Sequence, residues 1–422
     1  MKLPVMYRFI AIVFIIVSFT GCLKDTCKEN YQIFIPVYKT LTEVRADMKS
    51  GKAREIENPG KIFTIGHYIF VNEINRGVHV IDNADPSHPK KISFINIPGN
   101  EDLAVQNNTL YADSYSDLVA LDITSVTNIS AKKFIPNVFQ DRNYFYAYNS
   151  SNHPDSVRII VDYLVKDTVM DCDSYDRFYN CRNCAFADAR QFAQASSAPK
   201  PVGKGGSMAR FALLKNHLYT VTRSDLSVFG LSQPLDPQLM NTQKIGSWNI
   251  ETIFPFQNKL FIGSTTGMFI FDVTNPSAPA PAGQFSHIRR CDPVIADEKH
   301  AFVTLRTGNL CVGNTNQLDI LNIQNSIPVL IKSYPLTNPH GLSKEGNILF
   351  VCDGPDGIKV YDASNVQELK LLSHIQHIDS YDVITNGTIA LVVGKEGLYQ
   401  FQFADPRQIR LLSQIKTGKG SN

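Results

Sequence analysis

Residues 77–97 read GVHVIDNADPSHPKKISFINI, and the phrase returns as GMFIFDVTNPSAPAPAGQF at 267–285, GIKVYDASNVQELKLLSHI at 357–375 and GLYQFQFADPRQIRLLSQI at 397–415. Each copy is a short apolar run, an Asp or its substitute, a turn, and a second apolar run. Apolar and polar residues alternate with period two, which builds strands rather than helices. Asp85-Pro86, Asn275-Pro276 and Asp405-Pro406 sit in the same place after the first run. Such pairs start a turn and keep Pro out of the strand ladder.

Three more copies complete the set: Asp117 to Asp122 (DLVALD), Asp225 to Gly230 (DLSVFG) and Gln317 to Asn322 (QLDILN). Upstream of each run lie two further strands joined by a tight turn. Asn107-Asn108, Gly346-Asn347 and Asn386-Gly387 supply the positive φ that the turn needs. Seven copies of a four-stranded unit recur about every forty residues, a period of propellers and solenoids. One such sheet cannot cover its own two faces. Stacked radially, the copies cover one another. The expected fold is therefore all-β, a seven-bladed β-propeller of four-stranded blades at 61–418.

Two stretches fall outside the repeat. Residues 22–60 form a tether and N-terminal extension with a strand-like QIFIPV and a short helical pattern in LTEVRADMKS. Residues 138–205 are an insertion with a strand VRIIVDYLV, a Cys-rich loop and a Pro/Gly-rich exit. Long insertions sit on a propeller face, where function is commonly grafted.

The first 21 residues read as a targeting segment. Lys2 and Arg8 precede the apolar run FIAIVFIIVSFTG, which is too short to span a bilayer. It ends in Phe19-Thr20-Gly21-Cys22, the pattern of a bacterial lipobox, so Cys22 is the expected lipidation site. Each buried acyl CH₂ contributes roughly 0.8 kcal/mol, so several chains would hold the protein on a membrane. The expected location is the cell envelope, as an outer-membrane lipoprotein.

The chain resembles the bacterial LVIVD-repeat lipoproteins. The motif is matched by VHVID, LVALD, MFIFD, LDILN and IKVYD, in register across most of residues 58–416, together with the lipobox. The third and seventh copies depart from it, with Gly230 and Gln402 where Asp is expected. The resemblance implies an envelope propeller and supplies no catalytic residues.

The chain has 422 residues, 43% of them hydrophobic, and a formal net charge of +2. That charge provides no basic field for nucleic acid. No phosphate loop, GxSxG elbow, HExxH pair or EF-hand loop occurs, so neither a cofactor nor a resident metal is expected. Seven cysteines follow Cys22. Cys172, Cys181 and Cys184 have a spacing that fits zinc with a fourth ligand such as His153, or a disulfide staple. The staple is the preferred reading, with Cys27 a distant candidate partner. Cys291 and Cys311 fall near one sheet end and are candidates for a bridge, which leaves Cys352 as a buried strand thiol.

Where one blade hands over to the next, and where second and third strands connect, polar residues gather at one mouth. Arg76, Asp102, Asp113, Tyr115, Arg223, Glu251, Asp292, Arg306, His340 and Asp382 are the candidate ligand-binding residues. The expected function is a membrane-anchored binding or interaction module for an envelope protein or glycan. One alternative is a glycan- or lactone-acting hydrolase using the carboxylates of the mouth. The other is an architectural subunit of a surface complex.

Overall fold

The computed structural model describes residues 28–148, 157–171, 204–246, 249–286, 293–307, 316–325 and 327–418. Seven antiparallel sheets each take their four core strands in sequence order, spanning 59–96, 103–135, 211–244, 250–286, 294–335, 342–375 and 380–416. They are blades 1 to 7, and the expected propeller is the observed fold. Among the described residues no helix is long and apolar enough to cross a membrane. Cys22, Cys27, Cys172, Cys181, Cys184, Cys291, Cys311 and Asp292 lie outside the described residues.

The apolar runs explain the stacking. Blades 1, 2 and 3 share one apolar cluster, in which Phe70, Val80, Leu110, Leu121, Phe211 and Leu218 are buried. Further clusters join blades 3 and 4, 4 and 5, 5 and 6, and 6 and 7. The last joins blade 7 to blade 1, through Ile384, Leu391 and Val393 against Ile62, Ile69 and Val71. The core is thus a closed circuit of interfaces between blades.

The Asp that ends the repeat phrase has a local task. Its carboxylate accepts the amide two residues on, at Asp82, Asp122, Asp272 and Asp362. This Asx turn reverses the chain toward the outer strand. Asn322 makes the same bond, and Gln402 makes it at 3.1 Å with Ala404. The departure at Gln402 therefore keeps the function of the Asp.

The turn that follows is also a socket for the preceding blade. Its fifth residue offers a carbonyl to a side chain across the interface. Ser93 donates to Val126, Tyr111 to Pro234, Tyr219 to Pro276 and Tyr334 to Val366. Ser413 donates to Pro86 at 2.6 Å, so blade 7 engages blade 1 by the same contact. Every outer strand also carries a bulge at one register position, between partners of the fourth and fifth residues of the phrase. Bulges and twist blunt an exposed sheet edge.

Blade 1 is larger than the repeat predicts. Lys49–Lys52 pairs antiparallel with Lys90–Asn96 on its outer edge, and Lys204–Gly205 pairs with its inner strand Pro59–Ile65. The expected extension is therefore partly built into the ring. Its helix Leu41–Ala46 begins with a capping box between Thr40 and Glu43 and is tied to blade 2 by Arg45 and Asp117 at 2.6 Å. Ile56 forms a parallel bridge with Thr417, beside the junction of first and last blades.

A smaller compact unit includes residues 28–38 and 160–171. Within it, strands Lys28–Thr40 and Val157–Asp171 are neighbours in one sheet. Gln32 donates to Asp167 at 3.1 Å, and Phe34 meets Tyr163 edge-on at 6.4 Å.

Gly77, Gly357 and Gly397 open the phrase with positive φ, and a Cβ there would collide with a carbonyl of the outer strand. Gly387, at φ 59° in a hairpin turn, has open space around it. Gly387→Ala is expected to cost about 1 kcal/mol, the strain of a left-handed residue alone. Gly357→Ala adds a backbone collision and is expected to cost more than about 2 kcal/mol. Urea midpoints of the two variants check this; equal midpoints would refute the steric account.

Candidate functional site

Strand register puts one residue of each blade at the same level, immediately before the buried inner-strand residue Ile62, Leu103, Phe211, Ile253, Val294, Leu342 or Val383. These are Lys61, Asp102, Arg210, Thr252, Pro293, Gly341 and Asp382. Lys61 and Asp102 are 3% and 1% exposed, and they form an ion pair at 2.9 Å between blades 1 and 2. Asp102 Oδ2 also accepts the Arg210 amide of blade 3, and its Oδ1 accepts the Leu103 amide at 2.7 Å. One carboxylate thus ties three blades together. Burial pushes the Asp102 carboxyl up, with Lys61 opposing, and pushes the Lys61 ammonium down, with Asp102 opposing.

Above this pair lies a second layer of charge. Asp113 Oδ1 accepts from the Asn100 side chain and from the amides of Glu101 and Asp102, at 2.7, 2.8 and 3.0 Å. Arg142, from the short 3₁₀ helix Gln140–Phe145, reaches Asp113 at 2.6 Å and Glu101 at 2.7 Å. Arg210 lies 3.8 Å from Glu101, and Arg223 lies 4.0 Å from Asp141. Burial alone would raise the Glu101 carboxyl; Arg142, Arg210 and Lys61 outweigh it and hold it below the usual range. Phe139 stacks on Phe211 at 5.6 Å beneath Arg142.

Across the ring, Glu251, Arg306 and His340 form a second group. Burial lowers the Arg306 pKa, and the charge of Glu251 opposes it. His340 is 4% exposed. Burial, and then Arg306, hold its pKa well below the ordinary imidazole value, so it is neutral at physiological pH. Its Nε2 is 3.2 Å from Asn338 Nδ2, and its ring is 5.6 Å from Tyr381.

The segment leading into blade 3 runs between the inner edges of blades 1, 6 and 7. Lys204–Gly205 pairs with Phe63 and Thr64, and the Gly206 amide donates to Ile62. Lys204 Nζ donates to the Thr385 carbonyl and lies 3.5 Å from Glu345. Ser207 donates its amide to Asp382 Oδ1 at 3.0 Å, and its hydroxyl oxygen accepts the Leu342 amide at 2.6 Å. A Cβ on Gly206 would overlap the Asp382 carboxylate, so only glycine fits.

The structure therefore sorts the candidates. Asp102, Asp113, Tyr115, His340 and Asp382 are buried at the mouth end of the strands. There the three carboxylates are engaged by backbone amides. Arg306 and Glu251 are half-buried. Arg76 and Arg223 reach solvent, with side chains 59% and 56% exposed; Arg76 pairs with Glu57 at 2.5 Å. Cys352 is a free, buried thiol, as expected. His79, on the third strand of blade 1, pairs with buried Glu73 at 2.8 Å. Sequence reading missed Lys61, Arg142 and Arg210 as site residues. Lys61 and Arg210 share the register of Asp102, which alignment of the inner strands reveals. Arg142 lies outside the repeat and carries no such signal.

Asp102→Asn is expected to destabilise the chain by about 3–5 kcal/mol, because it strands the buried Lys61 ammonium. Lys61→Met combined with Asp102→Asn is expected to lose less than the sum of the two single changes. Denaturant titration of the three variants checks this, and strict additivity would rule out the coupling.

Comparison with known proteins agrees with this geometry. Residues 258–286, which span the second to fourth strands of blade 4, match the LVIVD repeat. No curated protein matches the sequence. A solved protein from Lactobacillus plantarum is similar at 12% identity, with a TM-score of 0.54 over 85% of this chain and 96% of that one. A functionally unknown protein from Desulfotomaculum acetoxidans is similar at 13% identity, TM-score 0.51, over 85% and 95%. The computationally designed protein Ika8 is similar at 10% identity, TM-score 0.51, over 87% and 92%. At these identities the likeness concerns the fold. The chain is a seven-bladed β-propeller that carries an LVIVD repeat.

Proposed function

We propose that this propeller is a lipid-anchored, extracytoplasmic binding module of the cell envelope, and that its mouth face takes the ligand or partner. The anchor is Cys22, after a cleaved signal of 21 residues. The observation that carries the binding reading is the division of labour at the mouth. Buried ion pairs and amide-bound carboxylates fix the blade junctions, while the guanidiniums of Arg76 and Arg223 project into solvent. Rigid support beneath a few exposed cations suits recognition of an anionic or hydrogen-bonding surface.

The same observation weighs against the hydrolase alternative. Acid–base chemistry needs a carboxylate that reaches substrate. Asp102, Asp113 and Asp382 are buried and already accept from backbone amides. The architectural alternative draws on another feature. The outer strands of blades 3, 5, 6 and 7 expose Leu239, Met240, Val329, Leu330, Leu371 and Leu411. Apolar side chains of that kind suit a protein partner.

Capture from native envelope, together with a glycan array, tests the proposal. Wild-type chain is expected to retain a ligand whose affinity falls at least about tenfold when Arg76 and Arg223 are both replaced by Ala. Unchanged affinity would move the site off this face. A partner lost instead on Leu371→Ser with Leu411→Ser would favour the architectural reading. Separately, Cys22→Ala is expected to abolish fatty-acid labelling and shift the chain from the membrane fraction to the soluble one. Labelling that persists would refute the anchor.

A further inference from the structure

We propose that Asp382 is a proton-controlled latch that holds the segment Lys204–Ser207 between the inner edges of blades 1, 6 and 7. The inference stands on the geometry around one oxygen and does not require the binding function above. Asp382 Oδ1 is well served, by the amides of Val383 and Ser207 at 3.0 Å each and by the Ser207 hydroxyl at 3.3 Å. Asp382 Oδ2 is buried and has no hydrogen-bond partner among the described residues. An ionised oxygen buried without a donor costs more than a protonated one.

The groups facing Asp382 do not relieve that oxygen. Blade 1 brings Lys61, whose ammonium is bound to Asp102. Blade 6 brings the buried thiol of Cys352, with Asp353 next to it, and the backbone of Gly341. Blade 7 itself contributes Tyr381 and Asp379 beside it in sequence. The segment contributes Ser207 and, further along, Lys204, which is bound to Thr385 and faces Glu345. Burial accordingly pushes the Asp382 carboxyl up to about 7, while the bonds from Val383 and Ser207 and the charge of Lys61 pull it down.

Two glycines close over the carboxylate, and they differ in how firmly they are held. Gly341 is locked between blades, with its amide on Tyr381 and its carbonyl accepting from Cys352. Gly206 sits directly against Oδ2 and is held by its amide bond to Ile62 at 3.1 Å. Water can therefore reach an ionised Oδ2 most easily by displacing Gly206. The sign follows from the raised pKa. Below the pKa of an unfolded carboxyl, the neutral form is present in both states and the closed arrangement keeps its full stability. That stability is lost as pH rises through about 7, where the closed form must either bury a charge or open.

Hydrogen exchange on the full chain in detergent, from pH 5.5 to 8.5, tests the latch. After correction for intrinsic exchange, protection of the Gly206 and Ser207 amides is expected to fall with rising pH up to about 7, by up to about tenfold per pH unit, because opening then releases one proton. Above about pH 7 the carboxyl is ionised in both states, and protection should level off. Amides of strand Thr109–Ser114 serve as the reference and should not change. In Asp382→Asn the fall should disappear. Constant protection in the wild type, or an undiminished fall in Asp382→Asn, would overturn the proposal. Should Asp382→Asn fail to fold, Ser207→Ala decides. It keeps the carboxyl and removes two bonds, so lower protection at every pH with the fall retained is expected, and protection equal to wild type would overturn the latch.

Discussion

The structure depends on one constraint: a four-stranded sheet with two apolar faces has nothing of its own to cover them. Each blade is covered by its two neighbours, and the clusters between them form a circuit with no free end. The requirement is collective. Phe70, Tyr111, Tyr219, Phe261, Phe302 and Phe350 occupy one register position in six blades, and all are fully buried. Hydrophobic burial supplies the attraction but no direction. Direction comes from the hydrogen bonds that seat one blade's side chain on the next blade's turn, and those bonds also join blade 7 to blade 1.

That division explains what the sequence made legible. The alternation, the turn pairs and the forty-residue period are local signals repeated seven times, so the architecture could be read even where single copies were weak. Gln402 departs from the motif, yet it makes the same turn bond as Asp362. Gly230 departs too, and its blade is held by the clusters on either side. The site was less legible because it is made where copies differ. Asp102 and His340 were identifiable as polar residues at blade junctions. Whether each faced ligand or its neighbours depended on partners far along the chain, such as Lys61 for Asp102 and Arg306 for His340. No local pattern encodes those pairings.

The least legible parts were the pieces that break the repeat. A Pro/Gly-rich exit reads as a loop, because Gly205 and Gly206 carry no side chain to set a pattern. In the structure Gly205 pairs with Phe63, and Gly206 passes against Asp382, where a Cβ would not fit. Arg142 likewise enters from a non-repeating helix to neutralise Glu101 and Asp113. The repeats build the frame, and the unique segments decide how its inner edge is filled.

The parallel bridge between Ile56 and Thr417 has a topological implication. No blade is assembled from both halves of the chain: all four core strands of blade 1 are contiguous, and so are those of blade 7. The seam is therefore one of the seven interfaces between blades, with an added bridge between Ile56 and Thr417. Breaks elsewhere between blades should be geometrically interchangeable with it, provided residues near 56 and 417 are joined. Circular permutation then becomes a natural way of asking which wedge the others condense upon.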